Sequence, residues 1–370
     1  MAKIGIDARL YGVKHTGIGR YVQNLVCELT KIDKRNEYVV FGPKEILDDI
    51  SGSENFSYHE LNTPVYGFAE QLTNLSHFNS QNLDLLHVPH FNAPVLYQKK
   101  LVLTIHDLIK SKSIGPQTST LPAPIYFFKH IVYENLIRWN INRSAHIITP
   151  SNYWKEYLCS NFKLRTDKVT VTYEAASGDL KDTSDDPDPQ VILKKYSLNK
   201  PFLLYTGNLY PHKNVPFLIK AVEAFNNSHK HQLELVIIGA RNSFANKLPT
   251  NSLIKVLGFV PDQDLSAIYK QSLALVQPSL IEGFGLTGLE AMSIGTPVLS
   301  SNTSCLPEIY QDAALYFSPH DLNSLLEAIS LVFSDRSLVD SLILKGYKHA
   351  KKFSWKSMAK QTLKVYQSLL

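Results

Sequence analysis

Short apolar runs alternate with longer segments of helical period along nearly the whole chain, and the alternation breaks once before it resumes. The runs KIGIDARL (3–10), YVVFG (38–42), DLLHV (84–88), KLVLTIHDL (100–108) and HIITPS (146–151) are rich in β-branched and aromatic residues. Pro, Gly, Asn or Ser bounds each of them, so they are expected to be buried strands. Between them apolar residues recur at i, i+3 and i+4, beginning with Gly17 to about Lys31. Strands alternating with helices predict parallel sheets covered on both faces.

The break is GDLKDTSDDPDPQ (178–190), whose acids and prolines read as a solvated linker. Beyond it the pattern restarts with PFLLYTGN (201–208), ELVIIGA (234–240), IKVLGFV (254–260), LALVQP (273–278) and TPVLSS (296–301). The 370 residues are therefore expected to form two α/β domains, 1–177 and 200–352, around a linker 178–199. A basic helix over 353–370 follows, with Lys356, Lys360 and Lys364 on one stripe and Trp355, Met358, Tyr366 and Leu369 on its apolar face.

Composition excludes other classes. Hydrophobic residues at 44% and charged residues at 19% rule out wholesale disorder. No apolar run approaches the roughly 18 residues of a membrane span. The start MAKIGIDARL lacks the apolar core of a secretory signal, so a cytoplasmic protein is expected. Cys27, Cys159 and Cys305 lie far apart with no CxxC pair, the pattern of free thiols and not of a metal site.

The segment richest in chemistry is IEGFGLTGLEAMSIGTPVLSS (281–301). Glu282 and Glu290 stand eight residues apart around Gly283, Gly285 and Gly288, and a helix is expected to start near Gly285. A glycine loop entering a helix N-terminus presents N–H groups to anions, and flanking carboxylates suit hydroxyls. Phosphate beside hydroxyls describes a nucleotide sugar. Spacing alone leaves a plain Gly-rich turn with surface acids equally open.

This segment resembles the signature of the retaining family-4, or group 1, glycosyltransferases of the GT-B fold. Further stretches match in order: TGIGRY (16–21), IHD (105–107), TPSNYWK (149–155), TGNLYPHKN (206–214), PEIYQDAALYF (307–317) and FSW (353–355). The resemblance implies two Rossmann-like domains facing across a cleft, with the C-terminal helix crossing back to the N-terminal domain. It implies transfer of a hexose, here guessed as mannose, from a GDP- or UDP-hexose to a saccharide or lipid-linked saccharide, in envelope polysaccharide or lipopolysaccharide synthesis. By the same resemblance Glu282 contacts donor-sugar hydroxyls and Glu290 the ribose. The N–H groups of Phe284, Gly285 and Leu286 lie near sugar and phosphate, and Lys213 neutralises the diphosphate. Gly17, Asn208 and Val260 join the donor-binding set, and His106 is catalytic at the sugar. Neither metal nor cofactor is expected.

Departures from the pattern leave alternatives. Many relatives carry an arginine near the lysine, where this chain has Asn208 and His212. A partly protonated His212 is one substitute, and Arg20 or Arg241 are others. If nothing compensates, a non-catalytic nucleotide-sugar-binding module of the same fold remains. A phosphorylase or epimerase fits less well, because the first needs a cofactor lysine environment and the second lacks this Glu pair. Gly17 and Gly19 hint at a dinucleotide fingerprint, but Val22 replaces its third glycine. His87 and His90 are expected to line the same crevice as His106. Asp186-Pro187-Asp188 formally reads D-x-D but lies in the acidic junction. Residues 99–168 carry eleven Lys and Arg against four acids, which raises docking on an anionic membrane surface. No nucleic-acid motif is present, and no nucleic-acid partner is expected.

Overall fold

The computed structural model describes residues 1–12, 15–65, 67–119, 121–176, 188–229, 232–239, 244, 248 and 252–370. They fall into two compact units. Unit 1 comprises Met1–Ser111, Leu121–Glu174 and Ser354–Leu370; unit 2 comprises Lys112–Thr120 and Ala175–Phe353.

Unit 1 is built on β1 (Lys3–Asp7), β2 (Glu37–Gly42), β3 (Phe56–Glu60), β4 (Leu85–Val88), β5 (Leu101–Thr104), β6 (His146–Thr149) and β7 (Val169–Val171). They form one sheet in the order β3-β2-β1-β4-β5-β6-β7, every pairing parallel. Unit 2 is built on β8 (Phe202–Thr206), β9 (Glu234–Ile238), β10 (Ile254–Gly258), β11 (Ala274–Gln277), β12 (Val298–Ser301) and β13 (Leu315–Phe317). These run β10-β9-β8-β11-β12-β13, again all parallel. Each sheet reverses its winding once, between β1 and β4 and between β8 and β11. In open α/β sheets such a switch point is where loops diverge and leave a crevice at the strands' carboxyl ends.

The central strands are buried throughout, because helices cover both faces. In unit 2, Leu203, Leu235, Ile237, Val276 and Leu299 pack with Leu218, Val222, Phe225 and Ile329 from the helices. In unit 1 the helix Trp355–Leu369 packs on the helix Thr16–Ile32, burying Trp355, Met358, Val365 and Tyr366. Ser354 starts it, accepting from the Ser357 N–H at 3.0 Å. Lys356, Lys360 and Lys364 stay exposed. Among the described residues no helix is long and apolar enough to cross a membrane.

Two expectations change. The strand expected over 100–108 ends at Thr104, because its neighbours β4 and β6 offer only short partners; Ile105–Leu108 continue as a loop beyond the carboxyl edge. The expected linker 178–199 is not linker throughout. Residues 178–187, with Asp186 and Pro187, lie outside the described residues, but Pro189–Lys195 is a helix. Asp188 caps it by accepting from the Gln190 N–H at 2.9 Å, and proline suits the first helical position. Ile192 is buried, and Lys195 and Tyr196 bond Asp264 at 2.6 and 2.7 Å.

Candidate functional site

The carboxyl ends of β8 and β11 carry the two segments that the sequence singled out. After β8 the chain passes Gly207 and Asn208 into a single 3-10 turn, Pro211–Lys213. After β11 it passes Ser279 and Glu282 into the helix Leu286–Ile294. The loops are tied together, since the Leu280 N–H donates to the His212 carbonyl at 2.8 Å. Lys213 Nζ thereby meets both Glu282 oxygens, at 2.7 and 2.6 Å. Lys213 keeps 22% of its side chain exposed against 9% for Glu282, so the cation is the reachable member.

Residues that sequence reasoning missed hold Glu282 in place. Ser279 Oγ donates to Glu282 Oε1 at 2.6 Å, and the Glu282 N–H donates to Ser304 Oγ at 3.0 Å. Cys305 Sγ sits 3.3 and 3.4 Å from the Glu282 and Phe284 carbonyls. Burial pushes the Glu282 carboxyl up; Lys213 and the hydrogen-bond donors outweigh it, and the group lies below the usual glutamate range. It is a carboxylate, able to accept from hydroxyls. The hydroxyl-rich run that ends β12 and follows it, SSNTSC (300–305), is the sequence signal for this support.

The glycines have a specific cause. Tyr310 is fully buried, and its hydroxyl donates to the Gly285 carbonyl at 2.6 Å and contacts Gln277 Oε1. A Cβ on Gly285 would meet that hydroxyl at 2.5 Å, and one on Gly288 would meet the ring at 2.3 Å. Gly285 also has φ +109°, which L side chains rarely adopt. The loop is slim because the tyrosine of PEIY fills the space behind it. Leu286 starts the helix, and Glu290 is buried one turn in. Tyr205 Oη donates to the Asn208 carbonyl at 2.6 Å, and Val260 is buried two residues beyond β10. His212 does not supply the missing charge. Burial, then Lys213, pushes its imidazole down to about 4, so it is neutral near pH 7. Arg241 lies outside the described residues.

In unit 1, His106 is buried two residues past β5. Its Nδ1 faces Glu174 Oε1 at 2.9 Å and its Nε2 faces the Pro89 carbonyl at 3.3 Å, while Tyr21 packs edge-on at 4.7 Å. Glu174, just beyond β7, is a further partner missed in the sequence. Gly17 lies half-buried in the first turn of Thr16–Ile32. Gly19 is required for packing, since a Cβ there would strike the Gly12 carbonyl at 1.9 Å. His90 lines a small cavity with Asp7, Arg9, Leu10, Val22 and Val88. His87 does not share it: its ring is locked in β4 between Tyr366 Oη at 2.6 Å and Thr104 Oγ1 at 2.8 Å. Burial, then His106, pushes it down to about 3, so it acts as a neutral structural tie.

Residues 15–175 match the model described as Glycosyltransferase Family 4, and 191–349 that of Glycosyl transferases group 1. The chain is 28% identical over 379 residues to the O-antigen chain mannosyltransferase B of Escherichia coli, covering 96% of each. Its fold is similar to sucrose-phosphate synthase of Thermosynechococcus elongatus, with TM-score 0.76 and 18% identity over 100% of this chain and 99% of the other. It is also similar to Anabaena HepE, solved in complex with UDP-glucose, with TM-score 0.73 and 16% identity over 100% of both. With two Rossmann-like parallel sheets and both family segments in order, the chain belongs to the family-4, group 1 glycosyltransferases of the GT-B fold.

Proposed function

We propose that the chain is a retaining mannosyltransferase that extends an O-antigen or related envelope polysaccharide from a nucleotide-diphosphate sugar. The observation that carries this is the Lys213–Glu282 pair at the switch point of unit 2, one accessible cation against one ionised carboxylate. A diphosphate displaces the carboxylate from Lys213, and Glu282 turns to accept from sugar hydroxyls. The first-turn N–H groups near Phe284, Gly285 and Leu286 face the phosphate side, and Glu290 holds the ribose. As the bond from the anomeric carbon to the phosphate oxygen breaks, negative charge grows on the leaving group. Lys213 stabilises that charge more in the transition state than in the ground state. The acceptor oxygen forms the new bond, and its proton passes to the leaving phosphate on the same face. The reading needs no metal, because Lys213 supplies the cation. Gly17, Asn208 and Val260 complete the donor set, and His106, held by Glu174, serves the sugar. Mannose and the O-antigen product are favoured by the name of the full-length Escherichia coli relative.

A thermal-shift panel of UDP, GDP, ADP and their sugar conjugates tests the donor. A ligand at about 100 times its dissociation constant adds roughly 2.7 kcal/mol to the native state. GDP and GDP-mannose are expected to raise the midpoint most. A β-linked product by NMR would refute retention. Binding without turnover across acceptors would favour the non-catalytic module.

A further inference from the structure

The helix Ala123–Arg143 is apolar on two opposite sides. Of its 21 residues only Ile137, Asn140 and Ile141 are buried. Tyr126, His130 and Tyr133 form an inner stripe, stacked ring on ring at 5.7 and 6.0 Å, and Tyr133 meets Phe91 edge-on at 5.1 Å. The opposite side carries Phe127, Phe128, Ile131, Val132 and Trp139, which are between 40% and 63% exposed. A surface helix in water needs one apolar stripe; a second marks a face that meets something else.

Charge identifies the occupant. The exposed residues of the helix include Lys129 and Arg138 and no acid. The helix's one carboxylate, Glu134, lies toward the inner side, 3.9 Å from His130 Nε2. Trp139 is fixed by donating from Nε1 to the Val95 carbonyl at 3.1 Å, and the chain that follows Val95 carries exposed Leu96, Lys99 and Lys100. The whole stretch 99–168 has eleven Lys and Arg against four acids. Aromatic and aliphatic side chains flanked by cations, on a convex helix and not in a groove, fit the headgroup layer of an anionic bilayer. We propose that this face rests on an anionic membrane surface, with Phe128, Ile131 and Trp139 entering the headgroup layer and Lys129 and Arg138 meeting lipid phosphates. The inference rests on the reading above for its purpose, since it holds the enzyme where a lipid-linked saccharide is presented.

The test is co-sedimentation of the full chain with phosphatidylglycerol-rich and with pure phosphatidylcholine vesicles, at low and high salt. Binding to the anionic vesicles only, weakened by salt, is expected. Phe128→Ser/Ile131→Ser is expected to weaken it by at least about tenfold, and Lys129→Gln/Arg138→Gln to flatten its salt dependence. Both variants change exposed residues only, and their nucleotide-induced thermal shift is expected to match the parent. That shift reports on donor binding separately from membrane binding. No sedimentation with anionic vesicles, or equal binding by the Phe128/Ile131 variant, overturns the proposal. So does a dimer in sedimentation velocity that this variant dissolves, because a second copy then covers the face.

Discussion

The two sheets share one winding order, and their switch points have been put to opposite uses. Between β1 and β4 the charges are spent on one another. Arg9 bonds Asp7 at 2.8 Å and Glu70 at 2.9 Å, with at most 5% of any of these side chains exposed. Asn92 donates to Glu70, and the Asn74 amide oxygen, turned as its surroundings require, accepts from Arg9 Nη1 at 2.8 Å. Between β8 and β11 the ion pair is partly open, and its lysine reaches solvent. Topology creates a crevice in both places. Whether a crevice can take a ligand depends on whether its cation is already surrounded.

The largest expected effect falls on the open pair. Glu282→Ala is expected to lower turnover about a thousandfold, or about 4 kcal/mol at the transition state, with an unchanged circular dichroism spectrum. Undiminished turnover would remove Glu282 from the site. Next comes the closed cluster. Arg9→Leu leaves Asp7 and Glu70 buried without their cation and is expected to cost about 3–5 kcal/mol. The melting midpoint should fall by roughly 10 °C. Lys213→Met should lower the midpoint less, because Ser279 still donates to Glu282, but it should abolish the nucleotide-induced shift. Equal loss of stability in the two variants would erase the distinction between a structural and a functional charge.

Much of this was legible in the sequence, and the misses share physical causes. The central strands were readable because burial on both faces makes them continuously apolar. The strands that escaped, β3, β7 and β13, are all sheet edges, and an edge tolerates the polar residues of FSYHE or the brevity of VTV. At the site, the glycine loop with its two glutamates stood out as a pattern, whereas the roles of Glu282 and Lys213 were readable only through the family resemblance. Tyr310, Ser279, Ser304 and Glu174 did not stand out, because what they touch is set by the fold and not by sequence distance. Tyr310 can be tested directly. Gly288→Ala places a methyl group against its ring and is expected to cost about 1–3 kcal/mol. In a Tyr310→Leu background that cost should shrink, and a double-mutant cycle that comes out additive would show that the ring is not the reason for the glycine.

A last comparison separates the units by acidity, and over the first pH unit or two below neutrality its effect is small. His87 in unit 1 is pushed by burial, then by His106, down to about 3, and His212 in unit 2 by burial, then by Lys213, to about 4. Both start from 6.5, so between that value and the folded one the unfolded chain binds the proton and the native state does not. Stability therefore rises with pH across the window, is complete above 6.5, and is lost as pH falls toward the folded value. The loss at His87 runs on to about 3, whereas that at His212 levels off near 4. Melting curves from pH 7 downward should show the parent losing midpoint faster than His87→Gln, with His212→Gln relieving less. Glutamine keeps a group able to bond Thr104, so the comparison isolates the proton from the packing. Parallel curves for all three proteins would mean that neither ring is held neutral by its surroundings, and that the Tyr366–His87–Thr104 tie is indifferent to protonation.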